Sequence, residues 1–329
     1  MSSEPFDLLV PRAEKGKRLD QFLVGALAGA TPAPSRATVQ RWIQEGLVLV
    51  RGQTATSANV RVAEGDRVVA TPGPEPRSAA VPDAEVVFEV LHEDASLLVV
   101  WKPAGLVVHP ARGHESGTLV NGLLARGYFR GDIADERDRE GHLRPGIVHR
   151  LDAGTAGVMV VARTATAREA LKAQFQAHSI DRVYEALTLG VAEAKTHSTL
   201  HGRHPTDRKR FTTRVREGKR AVTHVEVVER LGELATHVRC RLETGRTHQI
   251  RVHLAEAGTP IVGDPLYGKR AGHRSSEVAR VGEALGHQAL VARVLGFDHP
   301  KSGKRVRFEA PLPEDFLQAL AALRSLSSP

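Results

Sequence analysis

Apolar residues recur at helical spacing near the start of the chain, at Leu19, Phe22, Leu23, Ala26 and Leu27, and predict a short helix. A second helix opens at Ser35, a good N-cap, carries Val39, Trp42 and Ile43, and stops before Gly46. Leu47 to Val50, the turn Arg51-Gly52, and the pairs Val60/Val62 and Val68/Val69 around Gly65-Asp66 read as a small hairpin-like sheet. Further on, Leu97 to Trp101 predict a strand and Thr118 to Arg126 a helix. Thr166-x-x-Glu169 reads as a capping box at the start of a helix that packs Leu171 and Phe175. Val158 to Ala162 are apolar without alternation, as in a strand covered on both faces.

A period of two returns at Thr236, Val238, Cys240 and Leu242, which alternate with His237, Arg239, Arg241 and Glu243. The mostly basic outer face suits either a nucleic-acid cleft or an ordinary exposed sheet. The strand runs into TGRTHQIRVHLAEAG, where Thr247 is placed to cap a helix, Ile250 and Leu254 face the core and Gly258 ends it. His248 and Arg251 then share a face. An arginine near a helix start opposes the dipole, so Arg251 calls for a carboxylate partner, and Asp152 is the candidate.

Composition divides this pattern. Residues 72–83, PGPEPRSAAVPD, are too poor in large apolar side chains to pack and predict a linker between a module at 1–71 and one at 84–329. Residues 131–143 mix charges with few apolar positions and predict an exposed loop. With 46 Lys and Arg against 38 Asp and Glu, the net charge is +8, which points to polyanionic partners or to a merely solvated basic surface. One cysteine excludes an internal disulfide and a cysteine zinc cluster. The absence of a signal-like N-terminus and of a membrane-length apolar run predicts a cytoplasmic protein with no membrane partner.

The candidate chemistry lies in residues 144–162, RPGIVHRLDAGTAGVMVVA, where one carboxylate, Asp152, follows His149 and Arg150 and precedes a turn with Gly154, Thr155 and Gly157. Asp152 is thereby placed on a loop beside a rigid strand. GDPLYGKR at 263–270 imitates part of a phosphate loop, but Arg270 stands where Ser or Thr must hold magnesium. The 16 histidines are scattered without a metal-ligand spacing, so no metal site is expected, and His109 and His149 read as residues that shape loops. Glycoside hydrolysis needs two working carboxylates; the loop supplies one, and Asp264, in GDPLYGKR near another loop, is the only other candidate.

Two resemblances sharpen these readings. RLDQFL, SRATVQRWIQEGLVLVRG and EGDRV resemble the small RNA-binding domain named after ribosomal protein S-four, which makes Arg36, Arg41 and Arg51 phosphate-contact candidates. The rear module resembles the pseudouridine synthases of the RluA/RluD type. The matching blocks are VVWKPAGLVVHP (99–110), RPGIVHRLDAGTAG (144–157), RVYEAL (182–187), GRHPTDRKRF (202–211), LETGRTHQIRVHL (242–254), GTPIVGDPLYG (258–268), GFDHPKSGK (296–304) and EAPLP (309–313).

The resemblance implies an α+β fold: a catalytic domain with a long, mostly antiparallel sheet and flanking helices, plus the small N-terminal helix-hairpin RNA-binding domain. It implies isomerisation of uridine in RNA without cofactor, with ribosomal RNA of the large subunit as first partner, transfer RNA as second, and a monomeric enzyme. By the same resemblance Asp152 is the catalytic aspartate, Tyr184 stacks on the uracil, and Arg251 pairs with the aspartate, a guanidinium favouring the ionised carboxylate. Arg150 fills the space of the flipped base or contacts a phosphate. His109, His149, Thr155, Arg246, His248 and Gln249 are expected around the substrate, and Arg239 and Arg241 along the RNA. The chain departs from the family pattern at Ala156, Arg182 and Val291, where serine, lysine and histidine are usual. A ribosome-assembly binder that has lost catalysis is the alternative of a different class.

Overall fold

The computed structural model describes residues 4–30, 34, 36–72, 80–111, 114–129, 144–268 and 276–327. The Ser35 cap, most of the predicted linker, the 131–143 loop and Arg270 therefore lie outside the described residues. The chain divides into two compact units, Met1–Arg77 and Ser78–Pro329.

The first unit holds β1 (Phe6–Leu9), α1 (Leu19–Ala26), α2 (Arg36–Gln44), β2 (Val48–Val50), β3 (Gln53–Thr54) and β4 (Arg67–Ala70), with sheet order β1-β4-β2-β3. Arg51 and Gly52 both take positive φ, 54° and 77°, as a two-residue hairpin turn between twisted strands requires. Leu19, Phe22, Leu23, Val39, Trp42 and Ile43 are buried against Val48 and Val68. Two sequence expectations change. β1 was not foreseen, and Val60 and Val62 belong to no strand: their carbonyls instead accept from Leu19 and Gly16 N–H. Asp20 is fully buried and accepts from Arg18, from Arg36 Nε at 3.0 Å and from Gln40 at 2.7 Å, so a carboxylate ties α1 to α2.

The second unit runs β5 (Glu89–Glu93), β6 (Leu97–Lys102), α3 (Leu119–Ala125), β7 (Ala156–Ala162), α4 (Ala165–Gln176), β8 (Asp181–Leu189), β9 (Lys195–Arg203), β10 (Phe211–Thr212), β11 (Lys219–Leu231), β12 (Ala235–Leu242), α5 (Gln249–Glu256), α6 (Ser276–Leu285), β13 (Leu290–Asp298), β14 (Arg305–Glu309) and α7 (Glu314–Ser327). Ten strands form one sheet in the order β10-β9-β11-β12-β8-β13-β7-β6-β5, with β14 on β13. Every described pairing between these strands is antiparallel except β13 with β7.

All seven residues of β7 are buried, and the packing shows why its sequence does not alternate. Val158 and Val160 pack with Ala167 and Leu171 of α4, whereas Met159 and Val161 pack with Leu119 and Leu123 of α3. Helices on opposite faces leave no polar side. The α4 cap is Thr164, whose hydroxyl accepts from Ala167 N–H at 3.2 Å. The helix thus starts ahead of the Thr166–Glu169 box, which lies inside it.

The parallel junction is tight. Gly157 has φ 140°, and a Cβ there stands 2.4 Å from the Ala292 carbonyl oxygen. Gly157→Ala is expected to destabilise the second unit by about 2–4 kcal/mol, from backbone strain and overpacking together. A urea unfolding midpoint equal to wild type contradicts this packing. The unusual Ala156 and Val291 are register partners at the same junction, both buried, so two apolar residues meet where the family pattern has a serine and a histidine.

Candidate active site

The loop after Arg144 reaches the sheet at this junction, and Asp152 stands on it just before β7. Thr155 N–H donates to Asp152 O at 3.0 Å and closes the turn. A Cβ at Gly154 would lie 2.4 Å from Gln288 Oε1, so a side chain there requires the buried Gln288 amide to move. Gln288 Nε2 in turn donates to Thr155 Oγ1 at 3.0 Å, which pins the loop to the segment before β13.

An open cleft of about 380 Å³ lies over this loop. Arg150, Asp152, Thr155, Tyr184, Arg246, His248, Gln249 and Arg251 line it, with Leu151, Leu242, Ile250 and Leu290 as its apolar wall. Asp152 keeps 18% of its side chain exposed, enough to meet a ligand. The partner that the sequence assigns to Arg251, Asp152, lies at 2.9 Å from Nη1. A second carboxylate holds Arg251 from behind: Asp264 accepts from Nε at 2.7 Å and Nη2 at 2.9 Å in a two-pronged pair. Asp264 also accepts from Leu266 and Tyr267 N–H. Burial works against the Arg251 charge, but the bonds and charges of Asp264 and Asp152 outweigh it and raise its pKa. The guanidinium is thus a fixed cation aimed at Asp152.

Tyr184 presents its ring to the cleft from β8. Burial raises the pKa of its hydroxyl, Arg182 opposing and Asp152 adding to the shift, so it stays protonated at neutral pH. Arg182 is buried and donates to Glu243 O at 2.7 Å, which gives this departure from the family pattern a structural role.

Sequence comparison adds the lineage. A family model described as RNA pseudouridylate synthase matches residues 96–256, and one described as S4 domain matches residues 17–68. The chain is 42% identical to an uncharacterised RNA pseudouridine synthase of Bacillus subtilis, over 97% of this chain and 98% of that protein. The chain belongs to the RNA pseudouridine synthases. The synthase is also 43% identical to ribosomal large subunit pseudouridine synthase D of Pseudomonas aeruginosa, over 96% of this chain and 94% of that one. Among solved structures, human RNA pseudouridylate synthase domain containing 4 superposes with a TM-score of 0.54 at 26% identity, over 72% of this chain and 93% of that one. The enzyme is therefore an isomerase that acts on RNA.

Not every expected residue of the synthase faces the cleft. His149 turns away: its Nε2 accepts from Val160 N–H at 3.1 Å and its ring stacks on Phe175 at 4.6 Å. Burial, reinforced by Arg182, pushes this imidazole down to about 3, so it is neutral and serves the strand. His109 is buried outside the cleft wall, with Nδ1 3.1 Å from Pro110 O. Gln249 borders the cleft, but its amide is committed internally to Thr244, Arg246, Val222 and Thr223. Arg246 donates from Nε to Arg220 O at 3.1 Å and still lines the cleft. The α5 cap is His248 in the left-handed region, not Thr247.

Arg239 and Arg241 stand apart from this cleft. Tyr184 stands opposite Cys240 in the β8–β12 ladder, so the arginines on either side of Cys240 lie on the other face of the sheet and do not line this cleft. His237, expected outside, is buried because Glu185 accepts from it at 2.7 Å and Phe316 covers its ring. In the first unit, Arg36 is bound to Asp20, Arg41 lies 3.7 Å from Glu45, and Arg51, 3.7 Å from Asp66, is the most exposed of the three.

Three features gain their roles only from the fold. Asp264, which the sequence offers only as a second carboxylate near a loop, comes to the site as the partner of Arg251, and Tyr267 as the partner of His248. Lys102 is fully buried and donates to Pro103 O, Leu106 O and Ala153 O at 2.7–3.0 Å, so it clamps the turn after β6 to the Asp152 loop. Burial pushes its ammonium down to about 7, with Asp152 opposing the shift. Residues 203–220, from the end of β9 into β11, carry eight lysines and arginines against two acids, a net +6 where the whole chain has +8. Arg208, Lys209, Arg214, Arg216 and Lys219 of this ribbon are exposed.

Among the described residues, no group of three or more His, Cys, Asp or Glu side chains could hold a metal ion, and no helix is long and apolar enough to cross a membrane. Burial pushes the thiol of Cys240 up to about 12, which removes it as a nucleophile.

Proposed function

We propose that the enzyme converts uridines of large-subunit ribosomal RNA to pseudouridine, with Asp152 as the reacting carboxylate, residues 1–71 as the RNA-binding domain and 84–329 as the catalytic domain. The observation that carries the reading is the pairing of Asp152 with a buried arginine beside an aromatic ring in an open cleft. The name of the Pseudomonas relative, over nearly the whole chain, supports the ribosomal substrate.

The reaction breaks the N1–C1′ bond, turns the uracil and forms a C5–C1′ bond; C5 gives up its hydrogen as a proton and N1 takes one up. Asp152 acts either as a nucleophile on the sugar or base or by opening a path through a glycal, and each route starts from an ionised carboxylate. Arg251 holds that carboxylate in place. The Tyr184 ring offers the flipped uracil a stacking surface, which offsets part of the few kcal/mol that extrusion from a helix costs. Arg150 is exposed at the cleft and is suited to occupy the vacated space or to bind a phosphate. Because the C5 hydrogen is lost, tritium release from uridine labelled at C5 in a large-subunit RNA tests the proposal. No release from any ribosomal or transfer RNA contradicts it.

The basic ribbon yields a second expected result. Replacing Arg208, Lys209 and Arg214 together by glutamate lowers RNA affinity at least tenfold and flattens the dependence of log affinity on log salt by about 0.7–0.9 for each phosphate no longer neutralised. Filter binding across a salt series checks this, and an unchanged slope places the RNA elsewhere.

A further inference from the structure

We propose that Tyr267 is a positioning residue for the isomerisation: its hydroxyl, held by the Phe211 N–H, fixes the His248 imidazole so that Nε2–H faces the cleft as a hydrogen-bond donor to the uridine. The inference rests on the proposed function for its consequence, and on geometry alone for the relay. Tyr267 is buried, and its hydroxyl has two partners, Phe211 N at 2.9 Å and His248 Nδ1 at 2.9 Å. The amide can only donate. The Tyr267 oxygen therefore accepts from it, and its own hydrogen goes to Nδ1, the arrangement that satisfies every atom.

A neutral imidazole that accepts at Nδ1 carries its hydrogen on Nε2. That nitrogen lies 3.8 Å from Asp152 Oδ2. The opposite tautomer sets a lone pair against the carboxylate, so the electrostatics of the cleft select the same form. Burial lowers the His248 pKa; of the charges that face it, Asp152 and Asp264 oppose that shift while Arg251 and Arg150 add to it. At 3.8 Å the pair is too long for a hydrogen bond, which leaves the donor available to a carbonyl or ribose oxygen of a bound uridine.

Two further observations show that the ring is held rather than loosely placed. His248 takes φ 59°, a conformation that costs a non-glycine residue energy and recurs at functional sites. Edge contacts from Phe211 and Tyr267, each with ring centroids 5.6 Å away, clamp it on two sides. The relay begins in the basic ribbon, at Phe211, so the element with the densest positive charge is joined by two hydrogen bonds to the donor beside Asp152.

Nitrogen-15 NMR of histidine-labelled full-length protein reads the tautomer directly, with His248→Gln identifying the signals. The expected result at neutral pH is an unprotonated Nδ1 and a protonated Nε2, with a mixture of tautomers in Tyr267→Phe. In single-turnover tritium release, Tyr267→Phe is expected to lower the rate at saturating RNA about tenfold with RNA affinity unchanged. His248→Gln, which keeps an N–H near the place of Nε2, should retain more activity than His248→Ala. A hydrogen on Nδ1 in the wild type overturns the proposal, as does a Tyr267→Phe defect that lies wholly in RNA affinity. An enzyme inert on every RNA removes the proposed function and leaves the NMR result to decide the relay by itself.

Discussion

Arg251→Met should destabilise the second unit by about 3–5 kcal/mol at neutral pH, because it strands a buried carboxylate without its cation. Asp264 has no exposed side-chain surface, and two of its bonds come from Arg251. The expected fall in melting temperature is on the order of 10 °C. The pH dependence carries the sign of the argument. In the wild type, burial raises the Asp264 pKa, but Arg251 and the Leu266 and Tyr267 amides more than reverse this and leave it lowered. Asp264 therefore contributes stability above the ordinary carboxylate range, lost as pH falls through its depressed value. In the variant, burial is no longer countered by the guanidinium and pushes the pKa up, so acid neutralises the stranded charge. The stability gap between the two proteins should narrow as pH falls toward about 4, the ordinary carboxylate range. A gap that is absent at neutral pH, or that widens in acid, contradicts the role given to this pair.

Asp152→Asn should lower the rate of pseudouridine formation by about 10⁴-fold or more while the fold and RNA binding persist, as expected when the reacting group of a covalent or proton-abstracting step is removed. The amide keeps the shape of the carboxylate, and its oxygen can still accept from Arg251, so the loop has no reason to move. Removing a negative charge from a cleft lined by Arg150, Arg246 and Arg251 leaves RNA affinity equal or higher. Filter binding and tritium release on one preparation separate the two effects. Loss of binding in parallel with loss of rate assigns Asp152 to RNA recognition instead.

Much of this architecture was legible in the residues. The unbroken apolar run of β7 announces a strand covered on both faces, and the glycines after Asp152 announce a close approach. Alternation along β12 separates its two faces correctly, yet cannot say which of them carries the cleft; that depends on the pairing of Cys240 with Tyr184, a long-range register. The same limit hides the role of Asp264 as the partner of Arg251, and Tyr267 altogether. GDPLYGKR looks like a fragment of a phosphate loop until its aspartate is seen to hold an arginine 13 positions away. Lys102 follows five apolar residues and reads as a strand terminus, because the three carbonyls that bury it come from two separate turns. The Thr166 box falls inside α4, because Thr164, where the chain leaves β7, is the residue that caps the helix. The short β1 has too few residues for a period to emerge and exists through its pairing with β4.

Nucleotide-by-nucleotide mapping of pseudouridine in ribosomal and transfer RNA, from cells with the wild-type protein, with none, and with Asp152→Ala, tests the central claim most directly. The account predicts that the same large-subunit positions revert to uridine in both mutants and that other positions keep their modification. Positions that depend on the protein yet remain modified in the Asp152→Ala cells contradict it.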